Sequence, residues 1–129
     1  MKLKVILIFL CSSLALMVSI LLKIEQPIMT TFPTEIEIES YIKVSLFNKL
    51  FMGAFTATVT IILGLVLRVS FFTSFSISVL NGFVYYFYIG FKYHYQIIYS
   101  FYYLFQYFIG ALAVGLTYFL INSLKKRVI

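Results

Sequence analysis

Four long apolar stretches dominate this chain of 129 residues. They cover approximately residues 5–22, 46–67, 69–91 and 97–122, and Lys49 is the one charged residue within them. A helix of about 20 apolar residues crosses the roughly 30 Å hydrocarbon core of a bilayer. We therefore predict an all-α membrane protein: a single domain over residues 1–129, with four transmembrane helices in an antiparallel bundle and an outer loop at 23–34.

The composition supports a lipid environment for these stretches. Hydrophobic residues make up 63% of the chain and charged residues 11%, whereas soluble domains are near one half and one quarter. A soluble fold of this length could not bury that much apolar surface. The stretches also lack the alternation of apolar and polar residues that marks an outer-membrane β-barrel strand, so helices are predicted.

The basic residues predict the orientation of the four spans. With the N-terminus in the cytoplasm, the inner side carries six basic residues and no acid, whereas the outer side carries four lysines and all four glutamates. Cytoplasmic loops of membrane proteins are enriched in Lys and Arg. This rule predicts an N-in/C-in topology, in which the acidic segment 25–45 faces the outside. The inner set is Lys2, Lys4, Arg68, Lys125, Lys126 and Arg127.

The first span has an alternative interpretation as a cleaved secretory signal. A short basic start precedes an apolar run, and Ser13-Leu14-Ala15 fits a small-x-small cleavage pattern. The apolar run continues through Leu22, beyond that pattern. Its length favours an uncleaved first transmembrane helix.

The acidic segment predicts a helix that starts before the second span. Thr34 and Glu37 form a capping-box pattern, and Glu39 precedes Lys43 by one helical turn in the favourable order. We predict a helix from near Glu35 to Leu67 that extends outside the membrane. A short β-hairpin is the alternative, since residues 35–39 also alternate between acidic and apolar.

Small residues recur at helical spacing within spans two to four. Small side chains let helices approach closely in lipid, where hydrophobicity adds little to association. A polar path lined by the serines of span three is the alternative. The predicted helix-packing residues are Gly53, Ala57, Gly64, Ser70, Ser74, Ser78, Gly82, Ala111 and Gly115.

Tyrosines are concentrated in residues 85–108. Tyrosine favours the membrane–water interface because its ring is apolar and its hydroxyl is polar. An interfacial belt is therefore predicted. The alternative is a pocket for an amphiphile, lined by Tyr95, Tyr99, Tyr103 and Gln106.

No catalytic, cofactor-binding or metal-binding residues are predicted. Cys11 is the only cysteine and lies in an apolar run, and His94 is the only histidine. A lone histidine without a nearby cysteine or carboxylate makes neither a metal site nor a catalytic pair.

These observations favour a non-enzymatic membrane protein that acts through helix–helix contacts, as an accessory, immunity or regulatory subunit. The alternative is a small oligomeric transporter or channel, although such proteins usually carry ionisable residues inside the membrane. The expected partners are the lipid bilayer and a membrane protein, or a second copy of the chain, and not nucleic acid. The expected location is a bacterial cell membrane, with an organelle inner membrane as the alternative.

Overall fold

The computed structural model describes residues 2–22, 31–32, 34–94 and 96–128, and they fold into four helices. Each helix is long and apolar enough to cross a membrane. The helices are α1 (Lys2–Leu21), α2 (Glu35–Val66), α3 (Phe71–Lys92) and α4 (Ile97–Val128). The all-helical prediction is confirmed.

The central pair of the fold is α2 and α3. These two helices contact each other, and each of them also contacts α1 and α4. In the part of the chain that the structure describes, no Cα atom of α1 lies within 8 Å of a Cα atom of α4. The first and last helices therefore flank the central pair, and α2 has its most extensive interface with α4.

The N-terminus of α2 is set by its cap. Thr34 lies in extended conformation, and its hydroxyl accepts a hydrogen bond from the Glu37 backbone N–H at 3.2 Å. One turn on, Lys43 Nζ lies 2.9 Å from Glu39 Oε1 in an exposed i,i+4 pair. The predicted helix start is confirmed. The alternative hairpin does not form, because residues 35–40 are helical.

The C-terminus of α2 ends in a Schellman motif. Val69 N–H donates to Gly64 O at 2.8 Å, and Arg68 N–H donates to Leu65 O at 3.3 Å. Arg68 occupies the left-handed position of this motif with φ of 59°, where glycine is the usual residue. Ser70 then caps α3 by accepting from Thr73 N–H at 3.3 Å. Four residues therefore connect α2 to α3.

Two clusters of buried hydrophobic side chains lie in the interior. One is rich in aromatic residues and contains Met52, Tyr86 and Tyr107. The other is aliphatic and contains Ile8, Val69 and Ile77. Ile8 is fully buried, so α1 belongs to the core of the fold as well as to its surface.

Thr34→Ala is expected to fray the first turn of α2. The substitution removes the acceptor for Glu37 N–H, and losing such a cap costs about 1 kcal/mol. Amide hydrogen exchange of residues 36–38 should speed up by roughly fivefold, with little change in the rest of α2. Thr31→Ala, an equally exposed threonine outside the helix, is the control. Unchanged exchange in Thr34→Ala would show that the cap does not hold this end.

Candidate functional site: the helix-packing interior

The crossing of α2 and α4 brings the two helix backbones close together. A Cβ added at Gly53 would overlap the carbonyl oxygen of Tyr107, and one added at Gly110 would overlap the carbonyl oxygen of Leu50. Backbone therefore lies directly against backbone at this crossing. Only glycine leaves room for it, which is the physical role of small residues in lipid.

Tyr107 of α4 fills the centre of the fold. Its side chain is fully buried, and its ring occupies the space where a Cβ of Gly82 would lie. Its hydroxyl donates to the carbonyl oxygen of Ser78 at 2.9 Å. The ring also meets Tyr86 edge-on, with the centroids 5.9 Å apart. Tyr107 thus joins α4 to α3 through both packing and a hydrogen bond.

Sequence reasoning missed Tyr107 because it is the last of the many tyrosines in residues 85–108. A usable signal existed, since Tyr107, Ala111 and Gly115 follow one another at four-residue intervals on one face of α4. All three are buried. The position therefore belonged to the packing face that the small residues predicted.

Hydroxyl groups connect α1 to the central pair. Ser12 Oγ lies 2.9 Å from Thr60 Oγ1 of α2, and both residues are fully buried. Ser13 Oγ donates to Asn81 Oδ1 of α3 at 2.7 Å. Asn81 in turn donates through Nδ2 to Ile77 O at 3.2 Å. These polar contacts between α1 and its neighbours were not predicted, although both serines are visible in the sequence.

The predicted packing residues mostly meet in the interior. Ala57 and Ala111 are fully buried. A Cβ at Gly64 would overlap Ser74 Oγ, and one at Gly115 would lie 3.0 Å from the Phe75 ring. Gly53, Gly82 and Ser78 belong to the contacts described above.

Ser70 does not join the packing residues. It is exposed and caps α3, because it precedes the first residue of that helix. The serines of α3 that do pack are Ser74 and Ser78, both almost completely buried. Their place is between helices of the same chain.

The described residues of the predicted tyrosine pocket, Tyr99, Tyr103 and Gln106, differ in their environments. Tyr103 is half-buried under the ammonium group of Lys49, which lies 4.6 Å from the ring centroid and 3.2 Å from Ser45 Oγ. Gln106 is buried, and its Oε1 has no hydrogen-bond partner in the described residues. Tyr99 is 52% exposed. Tyr95 lies outside the described residues.

The chemistry of the interior is that of hydroxyl, amide and aromatic groups. In the described ranges, no three His, Cys, Asp or Glu side chains converge to hold a metal ion. His94 is exposed and adopts a left-handed backbone conformation with φ of 57°. The arrangement can bind helices to one another through close packing and hydrogen bonds.

Comparisons with protein-family models, with curated proteins and with solved structures found no match to this chain.

Gly53→Ala and Gly110→Ala are each expected to separate α2 from α4. The added methyl group meets a carbonyl oxygen that cannot move aside without moving its helix, and overpacking of this kind costs about 1–3 kcal/mol. Reversible unfolding in mixed micelles, followed by circular dichroism, measures the loss. Gly115→Ala is the matched control, since its methyl group meets the edge of an aromatic side chain. Equal losses at all three positions would contradict the backbone contact.

Gly64→Ala is expected to destabilise the fold because its methyl group overlaps Ser74 Oγ. Ser74→Ala removes that oxygen, which has no hydrogen-bond partner in the described residues. The double variant should therefore recover about 1 kcal/mol of the loss. A double-mutant cycle of unfolding free energies tests this coupling. Additive losses would mean that the two positions do not touch.

Proposed function

We propose that this chain is a multi-pass integral membrane protein that acts without catalysis, through contacts between helices, as an accessory, immunity or regulatory subunit. The observation that carries the proposal is how the polar side chains in the helices are used. Ser12 contacts Thr60, Ser13 donates to Asn81, and Tyr107 donates to Ser78. These polar groups join one helix to another, so their role is to hold the helices together.

The proposed topology is an antiparallel bundle with both termini in the cytoplasm. Cationic residues at the two termini and in the α2–α3 connection support it, by the enrichment of Lys and Arg in cytoplasmic loops. The length of α2 supports the outer extension. Its 32 residues span about 48 Å, and the hydrocarbon core accounts for roughly 30 Å. The remainder matches the turns that carry Glu35, Glu39 and Lys43. A bacterial cell membrane is the proposed location.

The second candidate is a small oligomeric transporter or channel. It is favoured by buried polar atoms with no hydrogen-bond partner in the described residues, among them Ser74 Oγ and Ser78 Oγ. Such atoms are the usual contacts of buried water. Against this candidate, both serines are enclosed by helices of the same chain.

A flux assay separates the two candidates. We expect the chain, reconstituted in liposomes, to leave the permeability to potassium, chloride and a small fluorescent dye unchanged. After native membranes are solubilised with mild detergent, we expect one other membrane protein to co-purify with the chain at constant stoichiometry. Flux that depends on the protein would overturn the subunit proposal, and so would a chain that is monomeric and without a partner in native membranes.

Leucine at Ser74 and Ser78 tests what the two buried serines do. Because both lie between helices, the double substitution should lower stability by about 1–3 kcal/mol through overpacking. Ser76→Leu, on the exposed side of the same helix, is the control and should have little effect. Thermal unfolding in detergent gives the stability, and the liposome assay gives the flux. A variant that stays folded and alters flux would support the channel.

A further inference from the structure

A groove runs between the C-terminal halves of α2 and α4. It is lined by Thr58, Ile62 and Leu65 on one side and by Ala113, Thr117 and Ile121 on the other, and it holds about 440 Å³. The crossing of α2 and α4 at Gly53 and Gly110 lies on the N-terminal side of the groove. The two helices are in backbone contact at the crossing, and the space between them opens toward their C-terminal ends.

The walls of the groove are apolar even where they contain hydroxyl groups. Thr58 Oγ1 donates to Ala54 O at 2.7 Å, and Thr117 Oγ1 donates to Ala113 O at 2.8 Å. Each hydroxyl proton is therefore used by its own helix. The groove suits a hydrocarbon chain better than a polar solute, because its lining is mostly aliphatic and both threonine donors are bonded within their own helices, which leaves the Tyr118 hydroxyl as the remaining side-chain donor of the lining.

Basic residues stand at the open end of the groove. Lys125 follows Ile121 by one helical turn, on the same face of α4, and is exposed. Arg68 follows Leu65 by three residues, lies two residues beyond the last residue of α2, and is also exposed. Helix C-termini favour cations. The groove is apolar along its length and has two cations at its end. This arrangement is complementary to an anionic lipid, with the apolar tail in the groove and the headgroup beside the cations.

We infer that this groove binds an anionic phospholipid of the surrounding bilayer, with one acyl chain between α2 and α4 and the phosphate near Lys125 and Arg68. Basic sites between helices recognise anionic headgroups because the phosphate is held by cations at the depth of the interface. The inference goes beyond the proposed subunit role and does not depend on it. It needs only that α2 and α4 cross a bilayer.

The absence of tryptophan from the chain allows a single-tryptophan test. Leu120→Trp places a fluorophore on the 60% exposed residue beside Ile121, and Leu14→Trp places one on the 62% exposed face of α1. Each variant is reconstituted in phosphatidylcholine vesicles that contain brominated phosphatidylglycerol or brominated phosphatidylcholine. At each position, the ratio of quenching by the two brominated lipids removes the effect of the fluorophore's depth in the bilayer.

At Leu120→Trp, we expect phosphatidylglycerol to associate about thirtyfold more strongly than phosphatidylcholine, the preference for two cations at about 1 kcal/mol each near the headgroups. At Leu14→Trp, the ratio should be near one. Lys125→Gln should lower the first ratio to about five, because Arg68 remains, whereas Lys92→Gln, at the far end of α3, should leave it unchanged. Equal association of the two lipids at Leu120→Trp would overturn the inference.

Ala113→Phe tests whether the acyl chain enters the groove. This exposed alanine lines the groove, and a benzyl side chain there should displace the lipid and remove the preference. A preference that survives Ala113→Phe would mean attraction of headgroups alone and would overturn the site. A change of oligomeric state in Ala113→Phe would assign the groove to a second copy and overturn it too. Native mass spectrometry of the unsubstituted chain, counting retained phosphatidylglycerol, gives the same answer without tryptophan.

Discussion

Direct contact between two backbones, at the crossing of α2 and α4, is the constraint on which the rest of the structure depends. Gly53 and Gly110 each face a carbonyl oxygen of the opposite helix. Helices in lipid gain little from the hydrophobic effect, so close van der Waals contact must supply the attraction. Once the two backbones meet, the space around them is fixed. The Tyr107 ring occupies one part of that space, and the groove below the crossing is another.

Several buried polar side chains in this fold connect one helix to another. Tyr107 ties α4 to α3, and Ser12 and Ser13 tie α1 to α2 and α3. Hydrogen bonds of this kind are modest individually, about 0.6 kcal/mol on average in membrane proteins. Their directionality fixes the rotation of each helix about its axis. In the groove, the hydroxyl donors of Thr58 and Thr117 are likewise used within the protein, because each is bonded to its own helix.

Local features of the sequence predicted the local features of the fold. The cap at Thr34 and the start of α2 follow from neighbouring residues, because a capping box acts within one turn. The short α2–α3 connection followed from the position of Arg68 between two apolar runs. Ser70 shows the limit of spacing arguments. It continues the serine pattern of α3, yet it lies one residue before the helix begins and serves as its cap.

The sequence by itself determined four apolar helices, their approximate ends and the faces that carry small residues, because these depend on hydrophobicity and on contacts within a few residues. The tertiary structure decided which faces meet. Gly53 could have packed against any small-residue face, and only the fold pairs it with the backbone of Tyr107. The partner of Ser13 lies 68 residues away, and neither residue's neighbours encode that contact. Rotation of each helix and distance between axes are properties of the assembled set. The interior therefore exists only once all four helices are in place, and the groove only once α2 and α4 have packed.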